Sequence, residues 1–376
     1  MKKSIAFLFV LLLAYSCSKD KSENLAGDFS LSGKFVTPNG TDAVSKANVK
    51  LYSGNTIITE SFTDAEGKFT LSNIPAGEYD LKISKGMFAA ARTVTLDDVN
   101  NTFDFNLEDI EITDLPNIAV VTGAFDNIET VLFNIGLVNP ITQEPLFDII
   151  DGQNLFGRSS ESAHTHGDNT MQNRTFNEQL EPNVDFHFGN LIESPDLLAS
   201  YDIIFLNCGL DENKIDFSNN LTNYVANGGL LYTTDYAFVY LDDITNNGQD
   251  YIHFEEPNRA GDSIATEAEI LNTDLLDWLT INFDITVTDN TVTIDQFLPS
   301  WQAVDTYNDQ TVLPWLSGPI VYNGISDNRH LAYTFQHGDG AVLYSSFHTK
   351  NNPQQSEAVA RSIQYLVFEL SDLKQQ

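Results

Sequence analysis

Four runs in the second half of this chain are apolar almost without a break. They are "NIAVVTGAF" (Asn117 to Phe125), "YDIIFLNCG" (Tyr201 to Gly209), "LLYTTDYA" (Leu230 to Ala237) and "GAVLYSSFH" (Gly340 to His348). A strand with one wet face alternates apolar and polar residues, because successive side chains point to opposite faces. Runs that do not alternate must be covered on both faces, as in a parallel sheet between layers of helix. The segments between them carry helical spacing. In "DNIETVLFNIG", Ile128, Val131, Leu132 and Ile135 share one face, and Gly136 stops the helix. "FSNNLTNYVANGG" reads as a helix closed by Gly228-Gly229, and "SEAVARSIQYLVFEL" as the final helix. Residues 117–370 are therefore expected to form an α/β domain of three layers, with an insertion near 240–300.

The first part of the chain has a different rhythm. From Phe29 to Leu107, short alternating runs such as "FSLSGKFV", "GKFTLSNI" and "GEYDLKISK" are separated by turn residues. This predicts a small antiparallel β-sandwich. "TDAEGKF" (Thr63 to Phe69) puts Asp64 and Gly67 in a hairpin turn, and "PAGEY" (Pro75 to Tyr79) turns into the next strand. Together with Gly33, these runs resemble the carboxypeptidase regulatory-like family. The resemblance implies a transthyretin-like sandwich of the carbohydrate-binding-like class. It names no sugar, and a stalk or spacer fits it better than a ligand site does. Residues 108–116, "EDIEITDLP", are acidic, end in Pro116 and read as the linker between the domains.

The N-terminus reads as a signal peptide over residues 1–17: Lys2 and Lys3, the apolar run "IAFLFVLLLAYSC", then Cys17. A cysteine at that point resembles the bacterial lipobox, although Tyr15 is bulkier than the residue usual there. The resemblance implies an acylated Cys17, held to a membrane by about 0.8 kcal/mol per buried methylene. Residues 18–28 form a polar tether like those of surface-exported Bacteroidetes-type lipoproteins. The expected location is the cell envelope, at the outer membrane or cell surface. Only Cys17 and Cys208 are present, so an acylated Cys17 leaves no disulfide and no thiolate metal site. A net charge of -34 repels phosphate backbones and argues against nucleic acid as a partner.

The order of elements in the second domain resembles the class I glutamine amidotransferase-like, flavodoxin-like fold and its ThuA-like relatives. "YVANGGLLYTTD" stands where that fold leads into its nucleophile elbow, and "GAVLYSSFHTKNN" where its catalytic histidine follows a strand. The departures matter more. No cysteine stands near Thr234-Asp235, and Lys350 replaces the acid that would orient His348. A Cys-His-Glu reaction needs the thiolate. What remains at the expected strand ends is Asp126, Asn207, Cys208, Asp235 and His348. A hydrolase could use Asp235 with His348, or the same groups could form a buried polar cluster. Cys208 is expected to be buried and inert. His164 and His166, with Asp168 and His187, are weak candidates for a metal site in a long loop. Trp278, Trp301 and Trp315 are expected in the core. No cofactor is implied. The leading expectation is a binding or scaffolding lipoprotein whose partner is carbohydrate or an envelope protein, and the alternative is a hydrolase or carbohydrate-processing enzyme.

Overall fold

The computed structural model describes residues 29–97, 104–153, 180–212, 218–283, 290–295, 297–347, 349 and 357–373. The first domain contains β1 (Phe29–Val36), β2 (Asn48–Ser53), β3 (Thr56–Phe62), β4 (Lys68–Ile74), β5 (Gly77–Lys85), β6 (Phe88–Leu96), β7 (Asp104–Asn106) and β8 (Ile110–Glu111). One sheet has the order β3-β2-β5-β6. In the other, β1 lies between β4 and β7 and also pairs with β8. The period of two decides what is buried: in β4, Phe69, Leu71 and Ile74 face the core while Lys68, Thr70 and Ser72 face water.

Both turn motifs form as their residues predict. The Asp64 carboxylate accepts a bond from the Lys68 backbone N–H at 2.8 Å. Gly67 sits at φ +73°, where a Cβ would lie 2.6 Å from the Phe35 carbonyl oxygen. The Tyr79 hydroxyl donates back to the Pro75 carbonyl at 2.9 Å. Two expectations change. β7 and β8 run parallel to β1, so the sandwich is not wholly antiparallel. Residues 108–116 are not a free linker: Ile110 pairs with Phe35, Ile112 N–H donates to Val36, and Asp114 bridges Ala89.

The second domain continues with β9 (Ile118–Val121), α1 (Ile128–Asn134), β10 (Asp148–Asp151), β11 (Asn183–His187), α2 (Phe188–Glu193), α3 (Pro195–Leu198), β12 (Ile203–Leu206), α4 (Ser218–Ala226) and β13 (Leu230–Thr234). Then come β14 (Thr245–Asn246), β15 (Gln249–Asp250), β16 (Ile252–Phe254), β17 (Thr266–Ile270), α5 (Thr273–Phe283), β18 (Thr291–Ile294) and β19 (Val304–Tyr307). It ends with β20 (Val312–Tyr322), β21 (Ile325–His337), β22 (Gly340–Ser345) and α6 (Glu357–Leu373). A 10-stranded sheet of order β11-β10-β9-β12-β13-β22-β21-β20-β17-β18 forms its spine. Pairing is parallel from β11 to β22 and antiparallel from β22 to β18.

The apolar runs are buried on both faces, as the lack of alternation requires. Ile118, Val120, Ile203, Phe205, Leu230 and Tyr232 face one layer, which contains α1, α5 and α6. Ala119, Val121, Ile204, Leu206 and Leu231 face the other, which contains α2, α3 and α4. The insertion builds much of the sheet's antiparallel part, because β17 and β18 join its edge. Trp278, Trp301 and Trp315 are all buried. The strand expected over Leu230 to Ala237 stops at Thr234, and Asp235–Tyr240 forms a 3-10 turn.

The two domains share one hydrophobic core. Phe88 of β6 meets Phe368 of α6 edge to face at 4.8 Å. Trp278 donates to the Ala43 carbonyl at 2.8 Å, and Lys85 pairs with Glu369 at 2.8 Å. Buried apolar area of this kind fixes the sandwich on the α/β domain.

Candidate functional site

The parallel strands run in step. Leu206 lies opposite Val121 and Thr233, and Thr233 lies opposite Tyr344. The residues just past these carboxyl ends therefore meet at one level of the fold. They are Asp126, Asn207, Cys208, Thr234, Asp235 and Ser345, all buried.

A chain of hydrogen bonds links most of them. Asp126 Oδ1 accepts from Thr349 N–H at 2.8 Å, Thr349 Oγ1 at 2.6 Å and Asn127 N–H at 2.9 Å. Asp126 Oδ2 accepts from Thr234 Oγ1 at 2.5 Å. Thr234 Oγ1 in turn accepts from Cys208 N–H at 2.8 Å. The Cys208 thiol lies 3.5 Å from Asp235 Oδ2 as a donor, and Asp235 Oδ1 accepts from Gln302 N–H at 2.7 Å. Burial pushes the Asp126 and Asp235 carboxyls up, and the donors around them push back. Burial and the neighbouring Asp235 push the Cys208 thiol up, so it is a poor source of thiolate.

Asp235 stands at φ +42°, at the sharp bend from β13 into the 3-10 turn. A sharp strand-to-helix bend is the kind of turn that presents the nucleophile in α/β hydrolases, and here the residue at the bend is a carboxylate. No glycine flanks the bend, because aspartate itself tolerates the left-handed region.

Gln302 closes over this bend. Its backbone N–H is the donor to Asp235, and its side chain is fully buried. Gln302 Oε1 accepts from Arg259 N–H at 2.7 Å and from Tyr322 OH at 3.3 Å. Gln302 Nε2 donates to the Glu255 carbonyl at 2.9 Å and to the Ala303 carbonyl at 3.0 Å. The Tyr344 hydroxyl donates to the Gln302 carbonyl at 3.0 Å. Segment 255–259 is thus strapped down beside Asp235. Arg259 completes the strap: it pairs with Glu212 and lies 4.7 Å from the Tyr236 ring. Burial pushes the Glu212 carboxyl up to about 7 despite that partner.

The structure thus brings Asp126, Cys208 and Asp235 into one network, with Asn207 beside it bonded to Glu129 at 2.9 Å. His187 is elsewhere, at the end of β11, with Nδ1 3.3 Å from Asp151 Oδ2. Cys17, His164, His166, Asp168, His348 and Lys350 lie outside the described residues. Among the described residues, no three His, Cys, Asp or Glu side chains are grouped to hold a metal ion. Sequence reasoning missed Gln302, Arg259, Glu212 and Thr349. Arg259 carries a signal, being one of only eight basic residues against 41 acidic ones in 108–376. Gln302 carries none.

Fold and site define a two-domain protein: a β-sandwich followed by an α/β domain whose strand-end bend carries Asp235. Residues 30–108 match the model of the Carboxypeptidase regulatory-like domain, in agreement with the resemblance of residues 29–107. None of the curated proteins matches the chain. Among solved structures, the chain is similar to a 5-hydroxyisourate hydrolase of Klebsiella pneumoniae, at 21% identity and TM-score 0.19, over 22% of this chain and 84% of that one. A ThuA-like protein from Bacteroides uniformis aligns at 10% identity and TM-score 0.31, over 46% and 69%. A cytoplasmic protein from Salmonella typhimurium aligns at 12% identity and TM-score 0.35, over 78% and 95%. At such scores the likenesses say nothing of activity.

Proposed function

We propose that this chain is a lipid-anchored protein of the bacterial cell envelope, at the outer membrane or cell surface. Its role is binding or scaffolding, toward a carbohydrate or an envelope protein. One observation carries the non-catalytic part. Asp235 occupies the elbow, and its two carboxylate oxygens are engaged by Gln302 N–H and the Cys208 thiol. A substrate would have to displace the buried Gln302 strap to reach it. The anchor rests on the leader that ends at Cys17.

Two measurements test the proposal. Cys17→Ala should move the protein from the membrane fraction to the soluble fraction, and equal membrane retention refutes the anchor. The intact protein should show no hydrolysis of ester, amide or glycoside reporters that Asp235→Asn abolishes. The alternative is a hydrolase that uses Asp235, with Asp126 near it and His348 as base. The left-handed backbone of Asp235 favours it, since such conformations cluster at working sites. Activity lost in Asp235→Asn and in His348→Gln, at unchanged melting temperature, would establish that alternative.

A further inference from the structure

The opposite end of the parallel sheet is open. A cavity of about 380 Å³ lies where the strands begin, lined in part by Asn117, Asp148 and Tyr201. A second, of about 170 Å³, is lined in part by Tyr201, Asp202, Asn220, Asn223 and Asn227. Tyr201 lines both, so the two cavities meet at this residue and are treated together as one cleft.

The wall chemistry is unusual for this protein. Asn220, Asn223 and Asn227 sit at i, i+3 and i+7, which aligns them as a stripe on and just past α4. The described helix Ser218–Ala226 carries no charged residue, in a chain of net charge -34. Asn223 and Asn227 are exposed. Across the cleft, Tyr201 OH donates to Asp148 Oδ2 at 2.6 Å, and Asp202 Oδ2 accepts from Asn117 N–H at 2.8 Å. These bonds hold both carboxylates and the tyrosine ring in place. Among the described residues, no lysine or arginine lines either cavity.

We infer that this cleft is a binding site for a neutral saccharide, with Tyr201 as the face on which a sugar ring rests. The inference rests on the binding role proposed above and names its ligand class. The Asn220 amide donates to the Ile192 carbonyl at 3.0 Å, which leaves Asn223 and Asn227 to face a ligand. A hydroxyl group both donates and accepts, so a ring of hydroxyls can satisfy carboxylate acceptors on one wall and these two amides on the other. An anionic ligand meets two carboxylates and no cation, which is repulsive at this range. A purely apolar ligand would cover the exposed Asn223 and Asn227 amides without pairing them. The larger cavity is of a size that takes small ligands.

The test uses the full chain in a detergent without a sugar head group. Maltose, cellobiose and N,N'-diacetylchitobiose are the probes, with spermidine and a glucuronate disaccharide as charged controls. Binding is read by saturation-transfer NMR and by titration calorimetry. At least one neutral disaccharide should bind, and the Asn223→Asp, Asn227→Asp double variant should weaken it about tenfold or more, as expected for lost amide donors. Both positions are exposed, so the fold should hold, and circular dichroism checks this. Tyr201→Ala should abolish the binding, while Tyr201→Phe, which keeps the ring, should retain most of it. If no neutral disaccharide binds, or if spermidine or the glucuronate disaccharide binds instead, the inference is overturned. If a disaccharide binds equally well to the double variant and to Tyr201→Ala, this cleft is overturned while the binding role stands.

Discussion

Gln302→Ala is the sharpest perturbation of the closed strand ends. The side chain makes four hydrogen bonds, to Arg259 N–H, Tyr322 OH and the carbonyls of Glu255 and Ala303. Its removal strands those groups. A buried group left unpaired costs about 1–3 kcal/mol. Tyr322 keeps its 3.0 Å bond to the Pro257 carbonyl, and the Ala303 carbonyl keeps its 2.9 Å bond from the Glu255 N–H, so two groups remain to count. Arg259 is partly exposed, so water can reach it and the low end of the range applies. The expected loss is about 2 kcal/mol of stability, read as a lower midpoint in urea at unchanged slope. The strap over Asp235 should also loosen, which a second assay detects. In a Cys17→Ser background Cys208 is the only thiol, so labelling of native protein reports access to the strand ends. Cys208 should resist labelling in the parent and react faster in Gln302→Ala. A loss below about 0.5 kcal/mol, the scale of an ordinary surface change, with Cys208 still protected, would refute the view that Gln302 closes the site.

Further outcomes follow from the same geometry. Glu212 titrates near 7 when folded, against 4.5 as its ordinary value. The folded state then holds more protons than the unfolded state between those values, so stability should fall as pH rises from about 4.5 to 7, by on the order of 2–3 kcal/mol. Asp126 and Asp235, also raised, act in the same direction. Urea melts at a series of pH values should show this slope, and Glu212→Gln should flatten it. Lys85→Ala leaves the half-buried Glu369 without its cation and should cost about 3 kcal/mol, the low end for a broken buried pair, whereas Lys85→Met with Glu369→Leu should recover most of that in thermal melts. Gly136→Ala should cost about 2–4 kcal/mol, because Gly136 is at φ +94° and an added Cβ would lie 2.4 Å from the Asn39 backbone nitrogen. An unchanged melting temperature there would mean that the two domains are not seated as described.

Local pattern was legible wherever local chemistry decides. The runs at Ile118, Ile203, Leu230 and Gly340 lack alternation because both their faces are covered, and each became a central strand of the sheet. The turns at Gly67 and Gly136 were readable because only glycine fits their backbones. The position of Asp235 after β13 was also readable, as was the absence of a cysteine there. Its bend was not, since a left-handed aspartate leaves no mark on the residues beside it.

Other features have no local sign at all. The sequence by itself determined two domain types, the burial of the parallel strands, and a set of polar groups past their carboxyl ends. Only the tertiary structure decided what those groups touch. Gln302 lies 67 residues from Asp235 and reaches it from the residues just before β19, whose pairing with β16 sets them beside segment 255–259. Tyr201 faces the asparagine stripe of α4 because α3 and α4 pack side by side. Hydrophobic periodicity says which face of an element is buried, and it does not say which distant element buries it. That choice is made by packing among all the elements together.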